Sequence, residues 1–344
     1  MQPRVANVDL ERYVSRIFVA AGVAPAAAAG IAAHLVAADA AGVGTHGVSR
    51  VSMYLSRFTS GAFRLAPEVR IEQTSPGTLA VDADFGLGAA VCYPVVDRLV
   101  AIARDHGTAS AVIAHVGHLG ALRLFLEPAI AAGMGMLLVQ YNAPSMSLPG
   151  MTEALIGNNP IAFGFPGGSG PPIVVDLSCS VAARGKIIDS ARDGEPIPPG
   201  WALDSGGEPT TDAKAALAGM LLPLAGHKGI ALAMIAECLG GLLTDSLAAP
   251  SAQLEGRGAT AGAGCFMIVV DLEKFVPAVV LAERVDAWRA GYRARAAGYA
   301  HVPGEGFANT GSAPGTVRVS RAVLTELAGV AADLGISEPL ATIA

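Results

Sequence analysis

The sequence predicts an α/β protein built on a mixed sheet, and three observations predict it. The first 65 residues or so carry only helical periodicity. Strand and helix patterns alternate after that, and two apolar runs between Ile161 and Asp176 lie too close in sequence for anything but an antiparallel hairpin. A chain of 344 residues is long enough for two associated lobes around a sizeable core.

Asp9 can cap a first helix whose apolar positions are Leu10, Tyr13, Val14, Ile17 and Phe18, with Gly22 as its stop. A second helix is expected from Pro25 to about Ala41, and a third amphipathic one carries Val48, Val51, Tyr54, Leu55 and Phe58 and ends at Gly61. Val69 to Asp82 alternates around Pro76-Gly77 and reads as a hairpin. Helix (Ala89 to Asp105), strand (Ala109 to His115), helix (Ala121 to Ala132) and strand (Met134 to Tyr141) follow. After the second hairpin come a helix over Val181 to Ala191, a Pro/Gly-rich loop to about Pro209, and a long helix from Gly229 to Leu243. A strand at Cys265 to Val270 and helices near Ala282 to Ala297 and Ser320 to Leu334 complete the pattern.

Composition excludes several classes of function. Hydrophobic residues make up 52% and charged residues 15%, far from the signature of disorder. The mean hydropathy is +0.49, yet the best apolar stretch, Gly219 to Leu243, is broken by His227, Lys228 and Glu237, so no membrane span is expected. Asp9, Glu11 and Arg12 occupy the place of a signal peptide's apolar region, which points to the cytoplasm. A net charge of −6 without a Lys/Arg cluster argues against nucleic acid. Cys92, Cys179, Cys238 and Cys265 form no C-x-x-C pair, so neither a disulfide nor a structural zinc is expected.

The motifs carry the chemistry. Gly42 to Gly47 spells G-x-G-x-x-G, but the preceding stretch is helical, whereas a dinucleotide fingerprint needs a strand entering the turn. Read as helix chemistry, Thr45 is an N-cap and His46 and Arg50 share one face. A guanidinium there can grip a carboxylate while the imidazole exchanges a proton with the neighbouring oxygen; the plain alternative is a solvated surface pair. His115 and His118 follow a strand, where α/β proteins place ligands; either a ligand-facing imidazole or a buried, hydrogen-bonded histidine fits. A metal there lacks a third ligand, and none is expected. Gly226-His227-Lys228-Gly229 opens an apolar helix and offers amides and an ammonium group to a phosphate. Val175 to Ser180 ends a strand with a carboxylate and hydroxyls suited to ribose, although Asp176 can equally cap the next helix.

Together these segments resemble the malate/L-lactate dehydrogenase family that is distinct from the Rossmann-type lactate dehydrogenases. The motifs THGVSR, GHLGA, GNNPIAFGFP, VVDLSCSVAARGKI, GEPIPPGWALD, PTTD, LLPLAGHKG and PGEG stand in the family's order over nearly the whole chain. The resemblance implies a largely antiparallel, non-Rossmann sheet in a cofactor domain (71–309). It also implies a helical domain (1–70 with 310–344) that carries the catalytic histidine, and a homodimer. It implies NAD or NADP as cofactor, with a small carboxylate as substrate: a 2-hydroxy or 2-oxo acid or, as the alternative, a cyclic imino acid. By the same resemblance His46 is the proton donor and acceptor, and Thr45, Arg50 and His118 surround the substrate. Val175, Asp176, Leu177, Ser178, Cys179, Ser180, His227, Lys228, Gly304, Glu305 and Gly306 contact the cofactor. Thr45, Asn158 and Met151 depart from the family pattern, which keeps a third reading open: a non-catalytic dinucleotide-binding homologue.

Overall fold

The computed structural model describes residues 3–244, 246, 263–298, 301–305 and 315–343. A short strand, β1 (Arg4–Ala6), leads into α1 (Asn7–Ala20), whose predicted apolar stripe is entirely buried, much of it against α2 (Pro25–Ala40). Asp9 is not the cap. The boundary residue is Ala6, three residues earlier and without a side-chain cap, and Asp9 lies in the first turn, where a carboxylate opposes the helix dipole. The third helix, α3 (Val51–Thr59), begins later than the periodicity predicts, after two separate 3₁₀ turns at Gly44–His46 and Val48–Arg50.

The α/β part contains β2 (Arg70–Ser75), β3 (Thr78–Asp82), α4 (Gly88–His106), β4 (Thr108–Val116), α5 (Glu127–Ala131), β5 (Gly135–Tyr141), β6 (Ile161–Phe165), β7 (Ile173–Leu177) and α6 (Arg184–Asp193). Instead of one helix over 121–132 there is a 3₁₀ turn, Leu122–Leu126, followed by α5. Pro128 has no N–H to give the Leu124 carbonyl, so an α-helix cannot run through and restarts with proline in its first turn. Nor does α6 begin at Val181: that residue's N–H bonds the Leu222 carbonyl (2.9 Å), and Ala183 is still extended (ψ 136°), so the helix opens at Arg184.

The Pro/Gly-rich region folds more than predicted, into β8 (Ala202–Leu203), β9 (Pro209–Thr210), α7 (Ala213–Ala218) and β10 (Met220–Leu221), with Asp212 capping α7. Next comes α8 (His227–Ala236), which passes into a π turn at Glu237–Gly241. There Gly240 lies so close to the sheet that a Cβ would stand 3.0 Å from the Tyr141 nitrogen. The remaining elements are β11 (Ala263–Val270), α9 (Ala278–Ala296), β12 (Thr316–Arg318) and α10 (Arg321–Asp333).

Seven strands form the central sheet in the order β2-β3-β4-β11-β5-β6-β7, and only β3 and β4 run parallel. The sheet is therefore mixed and largely antiparallel, and its one parallel pair is joined by a crossover through α4. This is not the parallel, doubly wound sheet of a Rossmann domain. One buried cluster lies on the sheet beneath α4, from Leu79 to Val269. A second joins Leu10, Ile17, Leu35 and Tyr54 to Val317 and Leu327, so the two ends of the chain share a core, reinforced by antiparallel pairing of β1 with β12.

Candidate active site

The segment from Thr45 to Arg50 does not form one helical face. Gly47 is extended (φ −89°, ψ −154°) and separates the two 3₁₀ turns. Thr45 caps nothing; its hydroxyl lies 3.1 Å from His46 Nδ1, while Arg50 folds back so that its Nε donates to the Thr45 carbonyl. The pair predicted from i,i+4 spacing therefore converges by a different route, around a bend. The Thr45 contact occupies Nδ1 of this imidazole and leaves Nε2 as its second ring nitrogen.

His118 arrives from the other part of the molecule. The β4 pairing shifts register near its end, and His115 there adopts a left-handed backbone (φ +51°). This bend separates the two histidines: His115 Nδ1 pairs with Asp82 (3.0 Å), whereas His118 Nδ1 lies 2.8 Å from the Tyr54 hydroxyl. The His118 ring stacks on His46 with centroids 5.7 Å apart and planes 5° apart. Gly120 (φ +80°) follows, packed on His34, where a Cβ would stand 2.7 Å from Nε2. Among the described residues no cluster of three or more His, Cys, Asp or Glu side chains could hold a metal ion.

Electrostatics keep these imidazoles neutral. Burial, and secondly the Arg50 charge, pull the pKa of His46 down to about 4. Burial, followed by His46 and Arg50, puts His118 well below the ordinary histidine value. Burial holds the Tyr54 phenol protonated far into the alkaline range. At neutral pH the site thus presents an uncharged imidazole beside a cation.

A second group of predicted site residues lies in the stretch ending β7. Val175, Asp176, Leu177 and Ser178 are half-buried, whereas Cys179 and Ser180 are buried. Asp176 does not cap the next helix; its carboxylate accepts the Arg123 N–H (3.1 Å) in the 3₁₀ turn just after the His118 loop. Cys179 donates its thiol to the Asn159 carbonyl, and Ser178 and Ser180 share a hydrogen bond of 2.9 Å. The Leu224 N–H donates to the Cys179 carbonyl (2.8 Å), which brings the exposed His227 and Lys228, at the start of α8, up to this stretch. Gly304 and Glu305 lie at the other end of β7, where the Pro303 carbonyl accepts the Val174 N–H (3.0 Å), and the Glu305 carboxylate is held by Arg289 and Arg293. Gly306 lies outside the described residues.

Two contributors escaped the sequence reading. Tyr54 gave only the signal of an apolar helix position. Gly185, in the first turn of α6, touches the His46 loop: a Cβ there would stand 3.0 Å from Thr45 Cβ and 3.6 Å from Arg50 Nη2. Its smallness allows the two parts of the molecule to meet at the guanidinium.

The fold and these two groups define a class: a non-Rossmann α/β protein that holds a neutral imidazole beside a guanidinium in one place, and hydroxyls near a helix start carrying Lys228 in another. The chain belongs to the malate/L-lactate dehydrogenase family, whose model matches residues 5–327. It is 36% identical over 270 residues to a Δ1-pyrroline-2-carboxylate reductase of Ancylobacter novellus, covering 78% of this chain and 79% of that one. It is also 36% identical over 244 residues to a (2R)-3-sulfolactate dehydrogenase (NADP+) of Chromohalobacter salexigens, covering 70% and 73%. The solved Δ1-piperideine-2-carboxylate reductase of Pseudomonas syringae pvar. tomato superposes with a TM-score of 0.82 at 29% identity, over 96% of this chain and 100% of that one.

Proposed function

We propose that this chain transfers a hydride between NAD or NADP and C2 of a small 2-hydroxy or 2-oxo acid. The observation that carries the reading is the convergence of His46 and Arg50 beside His118. In oxidation, His46 Nε2 accepts the hydroxyl proton as the C2 hydride leaves; in reduction it returns that proton to the nascent alkoxide. Arg50 orients the carboxylate, Thr45 fixes the imidazole through Nδ1, and His118, anchored by Tyr54, forms the wall behind it. The nicotinamide, when bound, supplies or takes the hydride. Val175, Asp176, Leu177, Ser178, Cys179 and Ser180, with His227 and Lys228, fit a dinucleotide: they combine hydroxyls, exposed cations and the start of α8. Gly304 and Glu305, at the far end of β7, belong to the same proposal, as does Gly306 by its place in the PGEG motif. The functional division follows: 1–70 with 310–344 carries the acid–base group, and 71–309 holds the cofactor.

A second reading, reduction of a cyclic imino acid, is favoured by the neutrality of His46. A protonated C=N accepts hydride without a proton from the enzyme, so a histidine with a pKa of about 4 is no handicap. Initial rates with NADH and with NADPH on oxaloacetate, pyruvate, sulfopyruvate and a cyclic imine separate the readings. Turnover of an oxo acid at least tenfold above the imine supports the first, and the reverse order supports the second. Dinucleotide binding without turnover on the whole panel supports a non-catalytic homologue. The sign of the pH dependence follows from the depressed pKa. Reductive kcat/KM on an oxo acid needs protonated His46, so it falls about tenfold per unit as pH rises from 5 to 8. Oxidative kcat/KM has no such fall over the same range.

The same proposal places the enzyme in the cytoplasm as a homodimer, without nucleic-acid or membrane partners. No described helix is long and apolar enough to cross a membrane. A row of apolar side chains on α8 and the turns after it (Leu232, Met234, Ile235, Leu242 and Leu243) is exposed, Leu242 by 65%. Exposed apolar side chains concentrated on one stretch of chain are what a second copy would cover. Ile235→Glu should convert a dimer to a monomer in sedimentation velocity; an unaltered dimer would remove this face from the interface.

A further inference from the structure

We propose that Asp39 is the positioning residue of the catalytic bend: its carboxylate, in the last turn of α2, is built into the turn between His46 and Arg50 and fixes where both side chains point. The inference rests on the roles assigned above to His46 and Arg50. Asp39 Oδ2 accepts the Val48 N–H at 2.7 Å, the amide that opens the second 3₁₀ turn. It thereby acts as an N-cap supplied from nine residues upstream, in a turn that has no cap of its own. The fit is close. A Cβ on Gly47 would stand 2.1 Å from Oδ1, 2.2 Å from Cγ and 2.3 Å from Oδ2, and one on Gly44 would stand 3.4 Å from Oδ1. The glycine after His46 is therefore required by the carboxylate lying against its backbone.

Stability alone gives no reason for a carboxyl at this place. Among the described residues Asp39 has no ion-pair partner, and burial pushes its pKa up to about 7 although the Val48 amide acts the other way. A carboxylate so placed costs free energy relative to a neutral group of the same shape. The shift of His46 comes first from burial and then from Arg50. What remains is geometry: the hydrogen bond holds Val48 two residues from His46 and two from Arg50. Misplacement of a catalytic group by about 1 Å can cost roughly 10²-fold in rate.

The test compares Asp39→Leu, which removes the acceptor, with Asp39→Asn, which keeps an acceptor oxygen and no charge. Hydrogen–deuterium exchange over residues 44–50 should quicken at least tenfold in Asp39→Leu and stay near wild type in Asp39→Asn. On the best substrate of the panel, Asp39→Leu should lose about 100-fold in kcat/KM, through a lower kcat and a higher KM for the acid. Dinucleotide affinity should stay within twofold, and Asp39→Asn should retain activity within about fivefold. Gly47→Ala, whose methyl displaces the carboxylate, should quicken the same exchange and serves if Asp39→Leu does not fold. Unchanged exchange in both variants overturns the proposal, as does quickened exchange with kcat and KM unaltered. A failure of Asp39→Asn as complete as that of Asp39→Leu overturns it too, since that would make the charge the active feature. Exchange reads the bend without turnover, so a wild-type enzyme inactive on the whole panel contradicts the functional reading while the exchange result still decides the role of Asp39 in the bend.

Discussion

Replacing His46 with alanine is expected to lower kcat on an oxo acid by roughly 10²–10⁴-fold, the range for loss of a positioned general acid, while leaving dinucleotide affinity unaltered. Geometry and charge both single out this residue. Thr45 holds Nδ1, the His118 ring lies parallel behind the imidazole, and Nε2 is left as the atom that can exchange a proton. Its nearest titratable neighbours are tied to each other: His118 Nδ1 lies 2.8 Å from the Tyr54 hydroxyl, whose phenol does not ionise near neutral pH. Steady-state kinetics with a fluorescence titration of bound dinucleotide measure both quantities. Undiminished turnover would remove His46 from the mechanism. A small loss confined to an altered pH profile would instead favour the imino acid reading.

Arg50→Gln should raise the KM for the acid by roughly 10–100-fold, the effect of losing charge-assisted hydrogen bonds of about 1.5–3 kcal/mol. The guanidinium serves two ends at once. Its Nε donates to the Thr45 carbonyl and shapes the bend, Nη1 lies 4.0 Å from the Met53 sulfur, and in the proposed role Nη2, next to Gly185, is the nitrogen offered to the carboxylate. Lysine cannot perform both, so Arg50→Lys should not restore binding. Arg50→Gln has a second signature. The Arg50 charge is one of the two causes that depress the pKa of His46, so its removal raises that pKa. The acid limb of the oxidative kcat/KM profile then moves to higher pH. An unchanged KM together with an unmoved limb would contradict the assignment.

The features legible in the sequence were those fixed by local periodicity. The stripe from Leu10 to Phe18, the hairpin around Pro76-Gly77 and the strand from Cys265 to Val270 depend on the chain's own pattern, and they fold as that pattern predicts. The two apolar runs after Ile161 pair as an antiparallel hairpin because nothing else connects strands so close together. What remained hidden depends on partners far along the chain. The insertion of β11 between β4 and β5 joins strands that are far apart in sequence. The helical face expected for Thr45, His46 and Arg50 does not form, because Asp39 claims the Val48 amide and Gly47 breaks the run. Tyr54 looked like an ordinary core position since its hydroxyl partner, His118, is 64 residues away. Asp176 has the sequence context of a local cap, yet its carboxylate accepts an amide in a turn 53 residues upstream.

The most direct measurement is a crystal structure of the protein with NAD(P)H and a non-reactive carboxylate analogue such as oxamate. The analogue's carboxylate should lie on Arg50 and its carbonyl oxygen within hydrogen-bond distance of His46 Nε2, with nicotinamide C4 facing the adjacent carbon. A nicotinamide bound with its reactive carbon turned away from His46, or an analogue seated without contact to Arg50, would contradict the mechanism.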